Sequence, residues 1–169
     1  MKWLNGYRMR LMFASFIMAI MLGGIDLANA ATTTVGPTAG YDFDSIQAGI
    51  DAANGGDTVL VAPGEYVITE PITFRGKAIT VKSEAGPDET TIRMGTPADP
   101  ERGSVVVFEN DEIVDSALDG FTLTGGRASW WPSAGYWGGG GIVFDASSGT
   151  VRNCAVVENT AKNAGGVFA

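Results

Sequence analysis

The chain has 169 residues, with 11 Lys and Arg, 19 Asp and Glu, no His, one Cys, 24 Gly and a formal net charge of −8. That length suits one domain. Without His there is no Ser-His-Asp triad and no histidine-held zinc, a single Cys allows no internal disulfide or cysteine-held metal, and the charge argues against a nucleic-acid backbone as partner.

The N-terminus carries Lys2, Arg8 and Arg10, then an apolar run over residues 11–24, then Ala28-Asn29-Ala30. A basic start, a short apolar stretch and an A-x-A site describe a secretory signal peptide over residues 1–30, and the run falls short of the ~20 residues of a membrane span. The expected localisation is secretion or the cell surface, with no membrane span after cleavage. Removing residues 1–30 leaves 8 basic and 18 acidic side chains. The Gly load, with many Val, Ile and Thr, points to a turn-dense all-β protein.

Residues 31–40 are small and polar, broken by Pro37, and read as a flexible leader. The one convincing helix opens at Phe43-Asp44-Ser45-Ile46-Gln47, with Asp44 placed to cap it and Gln47 three residues on, as in a capping box. Ile46, Ile50 and Ala53 share a face, and Asn54-Gly55-Gly56 ends the helix. Such a short helix must lie on something. Short strands follow at 58–61, 66–68, 72–74, 78–82, 91–94, 104–108, 118–124, 142–144, 150–157 and 167–168, bounded by Gly, Pro, Asn or Asp.

Two internal matches fix the expected architecture. Leu118 to Thr124 aligns with Val151 to Val157, and Gly140-Gly141-Ile142 with Gly165-Gly166-Val167. The offsets imply a period near 25 with one enlarged loop within residues 127–139. A period of that size with several strands suits a solenoid in which Leu118 stacks on Val151 and Leu123 on Val156. The competing immunoglobulin-like sandwich would not produce two matching offsets.

The segment Ser45-Ile46-Gln47-Ala48-Gly49-Ile50-Asp51-Ala52-Ala53-Asn54-Gly55-Gly56-Asp57-Thr58-Val59-Leu60-Val61-Ala62-Pro63-Gly64-Glu65-Tyr66, with Asp119 to Gly126 and Gly139 to Ile142, resembles the pectin lyase-like superfamily of right-handed parallel β-helices over residues 41–169. The resemblance implies an all-β right-handed parallel β-helix domain over 41–169, with the short helix capping its N-terminal end. The chain stops at Val167-Phe168-Ala169, inside a strand. The expectation is therefore a domain incomplete at its C-terminus, whose partners are further coils of the same chain and which self-associates through that open end.

The enlarged loop holds Trp130, Trp131, Tyr136 and Trp137, three of the four Trp residues of the chain. Aromatic rings on a projecting loop suit the apolar faces of sugars, so these four are the candidate substrate-binding residues and extracellular polysaccharide the candidate partner. Glu109, Asp111, Glu112 and Asp115 crowd one stretch, a candidate Ca²⁺ site without EF-hand spacing; a solvated loop is the simpler reading, so no cofactor is assigned. Asp119 and Asp145 are candidate carboxylate partners. The resemblance implies that a lyase of this kind would use a basic residue to abstract a proton; that motif is not matched residue by residue here, and among the strand-borne or loop-borne Arg93, Arg127 and Arg152 the sequence does not choose. Cys154 occupies the position of Phe121 one coil on and reads as a buried small hydrophobe; Asn153, Asn159 and Asn163 read as turn or ladder residues. No catalytic set is identifiable. Three functional classes stay open: a non-catalytic extracellular module that binds glycan or serves a structural role, which is favoured; a polysaccharide lyase or glycoside hydrolase with catalytic coils beyond residue 169; and an adhesin or autotransporter passenger segment.

Overall fold

A computed structural model describes residues 30–131 and 136–169. The segment read as a signal peptide lies outside them, apart from Ala30. In chain order the elements are β1 (Thr32–Val35), α1 (Ile46–Ala52), β2 (Thr58–Val61), β3 (Gly64–Ile68), β4 (Ile72–Thr73), β5 (Thr80–Ser83), β6 (Thr90–Met94), β7 (Val106–Phe108), β8 (Ala117–Asp119), β9 (Thr122–Thr124), β10 (Ser129–Trp131), β11 (Tyr136–Gly138), β12 (Ile142–Phe144), β13 (Thr150–Arg152), β14 (Ala155–Val156) and β15 (Val167–Phe168).

Apart from β10 and β11, every strand pairs in parallel with its counterpart one lap away. The first sheet runs β1-β2-β5-β8-β13, the second β3-β6-β9-β14 and the third β4-β7-β12-β15. Three stacked parallel sheets make a right-handed parallel β-helix, the hand that parallel crossovers take. The strands alternate inward and outward. Val59, Val81 and Leu118 form one buried column, Tyr66, Ile92 and Leu123 a second, and Ile72, Val106 and Ile142 a third. The expected stacks of Leu118 with Val151, Leu123 with Val156, and Ile142 with Val167 are all present in the register. At the C-terminal end of the third sheet's strands, Phe74, Phe108 and Phe144 stack with ring centroids 4.7 Å apart at each step, the spacing of adjacent strands.

The lap length is not constant. Thr58 pairs with Thr80, Thr80 with Ala117, and Ala117 with Thr150, giving laps of 22, 37 and 33 residues. A fixed period near 25 with one insertion therefore gives way to several loop insertions around a constant three-sheet frame. The expected single strands at 118–124 and 150–157 are each broken in two. Gly120 and Asn153 adopt left-handed φ of 86° and 52° at these bends, where the chain turns from the first sheet to the second.

Residues 31–40 do not all act as a leader, because Thr32 to Val35 form β1. This strand pairs in register with β2 and Val35 is fully buried. The amide of Thr58 donates to the Ala31 carbonyl and that of Ala62 to the Val35 carbonyl, so β1 covers what would otherwise be an open sheet edge.

Helix α1 covers the same end of the solenoid. Its cap is Ser45, not Asp44: Ser45 is extended and its Oγ accepts from the Ala48 amide at 3.3 Å. Gln47 makes no capping box. Its Oε1 accepts from the Thr73 amide at 3.0 Å and its Nε2 donates to the Thr73 carbonyl at 3.1 Å, which docks the helix on β4. Ile46, Ile50 and Ala53 are buried, as their spacing predicts. The Lys77 ammonium donates to the carbonyls of Ile50, Asp51 and Ala53, each at 2.8 Å, and satisfies the C-terminal end.

Candidate functional site

The four aromatic residues singled out in the sequence lie on one antiparallel hairpin, β10 with β11. Trp130 is the register partner of Trp137 and Trp131 of Tyr136. It is the only antiparallel strand pair among the described residues. Residues 132–135 between the strands lie outside the described residues. The hairpin fills the corner between the second and third sheets, a connection of only three residues, 69–71, in the first lap.

The base of the hairpin is fixed to the lap below. The Ser104 and Ser129 hydroxyls lie 2.7 Å apart, the Ser104 amide donates to Ser129 Oγ at 3.1 Å, and Ser104 Oγ donates to the Gly139 carbonyl. The Trp130 amide donates to the Glu101 carbonyl at 2.8 Å, and Arg102 forms an antiparallel bridge with Ser129. Glu101 and Arg102 thus tie β10 to the loop of the lap below. Gly126 sits where a Cβ would fall 1.9 Å from the Gly140 carbonyl oxygen, so only glycine allows the chain to leave β9 and return to β12 so closely. The Trp130 side chain is half-buried.

A groove of about 610 Å³ lies beside this base and has no counterpart in the sequence reading. It is bounded by the start of α1, the corner between β3 and β4, and the stretch that carries Asp99 and Arg102. The Arg102 guanidinium donates to both oxygens of Glu109 at 2.5 and 2.9 Å. Arg75, on the groove rim, pairs with Asp51 at 3.3 Å.

The acidic stretch 109–115 does not converge. Glu109 is held by Arg102, whereas Glu112 turns inward and is nearly completely buried. The amides of Gly76 and Asn110 donate to its two oxygens at 3.0 and 2.7 Å. Burial pushes the Glu112 carboxyl up, but these amides together hold it below its ordinary range. Among the described residues no group of three or more His, Cys, Asp or Glu side chains could hold a metal ion.

Asp119 is bonded to Asn153 Nδ2 at 2.8 Å and Arg152 Nε at 3.0 Å, not to Asp145, which follows β12 on another sheet. Burial raises the Asp119 carboxyl, and Asn153, Arg152 and nearby Lys82 outweigh it to leave the group low. Arg93 pairs with Glu65 at 2.6 Å across adjacent laps, and Arg127 bridges Thr160 through its backbone. Cys154 does stand in the stack of Phe121, whose amide approaches its Sγ at 3.4 Å; it is half-buried rather than fully so, and burial pushes its thiol up. Asn153 and Asn159 are turn residues; Asn159 accepts from the Gly126 amide and donates to the Leu123 carbonyl.

No family model, curated protein or solved structure matches the chain. The fold and the site define it as a parallel β-solenoid repeat protein bearing an aromatic hairpin on one corner. Among the described residues no helix is long and apolar enough to cross a membrane.

Proposed function

We propose that this chain is a secreted or cell-surface β-helix module, of the pectin lyase-like kind, that binds polysaccharide through the β10–β11 hairpin. One observation carries the reading: Trp130, Trp131, Tyr136 and Trp137 occupy two facing strand segments whose base is pinned to a rigid solenoid. Aromatic faces stack on the apolar faces of sugar rings, and a platform held by a fixed scaffold loses little conformational freedom when it binds. The opening segment 45–66 and the glycine-paired laps support the kind of β-helix, and the basic and apolar stretches of residues 1–30 support export.

Retention on immobilised polysaccharides in affinity electrophoresis tests the reading. The Trp130→Ala, Trp131→Ala, Trp137→Ala triple variant loses retention while its far-ultraviolet circular dichroism is unchanged. Each anchoring ring is worth about 2 kcal/mol where it is a binding hot spot. Retention equal to that of the unaltered protein overturns the proposal.

A further inference from the structure

The aromatic hairpin rests on a turn that belongs to none of the three sheets. Residues 95–105 join β6 to β7, and the Ala98 amide donates to the Thr69 carbonyl at 2.8 Å, which seats this loop on the first lap. Asp99 closes the turn: its Oδ1 accepts from the Glu101 amide and its carbonyl from the Arg102 amide, each at 2.9 Å. The Glu101 carbonyl and the Arg102 backbone then carry β10 at Trp130 and Ser129.

A side-chain tie runs from this turn to the core. The two Arg102–Glu109 bonds span β7, and Glu109 directly follows Phe108, in a strand whose three residues are all fully buried. Of the four salt bridges among the described residues, this is the one in which neither side chain is more than 36% exposed. Glu109 holds the Arg102 guanidinium above its ordinary range, against burial, and Asp99 and Glu70 add to the effect. A forked, partly buried pair fixes direction as well as distance, whereas fully exposed pairs contribute little. The tie lies outside the buried columns, so its loss releases the turn and leaves the stacked core in place.

We infer that Arg102 and Glu109 are positioning residues for the aromatic hairpin: their ion pair holds the 99–102 turn, and through it β10, in one pose before any glycan arrives. The inference rests on the glycan reading above for what the pose serves, and adds the device that sets it. Both residues act through β10 rather than on the sugar. A platform ordered in advance binds without the cost of ordering it, and a loosened one makes the same contacts at lower affinity.

The Arg102→Met, Glu109→Gln and double variants test this beside the intact chain. Three of the four Trp residues lie in the hairpin, so the near-ultraviolet circular dichroism of tryptophan reports its order. Each single variant weakens these bands and speeds hydrogen exchange at the Trp130 amide, while far-ultraviolet dichroism and the exchange of the β5 and β8 amides are unchanged. The double variant goes no further than either single one, because the pair acts as a unit. Calorimetric titration with soluble β-glucan, xylan and polygalacturonate reads the consequence. Affinity for whichever of them binds the intact chain falls about ten-fold, in the entropy rather than the heat, and saturation restores the bands. Undiminished bands in the single variants, additive losses in the double variant, unchanged affinity beside weakened bands, or a loss of far-ultraviolet signal that makes the pair part of the solenoid itself overturns the inference. Bands and exchange decide the positioning with no sugar present, so the glycan reading fails separately, when the intact chain binds none of the three polysaccharides.

Discussion

Phe108 is the middle rung of the aromatic stack, and truncating it to Ala probes how the laps are held together. Its ring is fully buried, with Phe74 and Phe144 on either side at 4.7 Å and interplanar angles of 19° and 8°. Removing a buried Phe side chain costs about 3–5 kcal/mol. Two features place Phe108 at the upper end of that range. Both neighbouring rings lose a stacking partner, each such pair being worth about 0.5–1.5 kcal/mol. In addition, the ring edge lies against Gly149, where even a Cβ would fall 2.6 Å from Cε1, so the wall beside it is backbone that collapses poorly into the cavity. Phe74 is equally buried but has one ring neighbour, and half-buried Phe144 also has one. The expected order of loss is Phe108→Ala, then Phe74→Ala, then Phe144→Ala, the last about half of the first or less. Urea unfolding at 25 °C of the three single variants, with the denaturant slopes compared, reads the order directly. A loss at Phe108 below about 1 kcal/mol, or one no larger than at Phe144, refutes the view that stacked columns carry the stability of neighbouring laps.

Two further predictions concern the polar ties between laps. The buried Glu112 carboxylate accepts from Gly76 and Asn110, and its folded-state pKa lies below the ordinary 4.5. A depressed value means that the stabilisation is complete above the unfolded pKa and disappears as pH falls through the folded one. Glu112→Gln therefore lowers stability at pH 7 by about 1.5–3 kcal/mol, the scale of bonds to a charged group, and flattens the loss of stability below pH 4.5; thermal melts from pH 7 to 3 that keep the same acid limb in the variant contradict this. Lys77→Met removes three bonds to the carbonyl end of α1. It costs about 1 kcal/mol, and hydrogen exchange of the α1 amides accelerates while that of β8 does not.

The solenoid was legible because its signals are local or repetitive. Thr58 to Val61 alternates and is bounded by Asp57 and Pro63, and its strand matches the expected limits. The pairs Leu118 with Val151 and Ile142 with Val167 could be read because stacking equivalent positions repeats the residue type. What was not legible lacks such a signal. β1 is Thr-Thr-Thr-Val, with one fully buried side chain, and it exists because its backbone pairs with a strand 26 residues away. Lap lengths escaped because loop insertions leave no trace in the strands they connect. The groove draws on α1, the β3–β4 corner and residues 99–109, which no sequence window contains together. Asp44 and Ser45 are both good caps, and the choice of Ser45 follows from where β1 and β4 hold the helix.

The variable corner between the second and third sheets ties the architecture to the proposed site. It spans residues 69–71 in the first lap, 95–105 in the second, 125–141 in the third and 157–166 in the fourth. Across all four the strands keep register, with Ile72, Val106, Ile142 and Val167 still stacked. Inserted chain at this corner therefore leaves the core untouched, since the backbone bonds that define a lap lie wholly within the sheets. The short first corner leaves a recess, the second lap's loop walls it with Asp99 and Arg102, and the third lap's hairpin rests on that loop through Glu101 and Arg102. Three successive laps thus build one surface, each seated on the last. The position of Trp130 consequently depends on residues 28 and 29 places earlier in the chain, Arg102 and Glu101, rather than on its own neighbours alone.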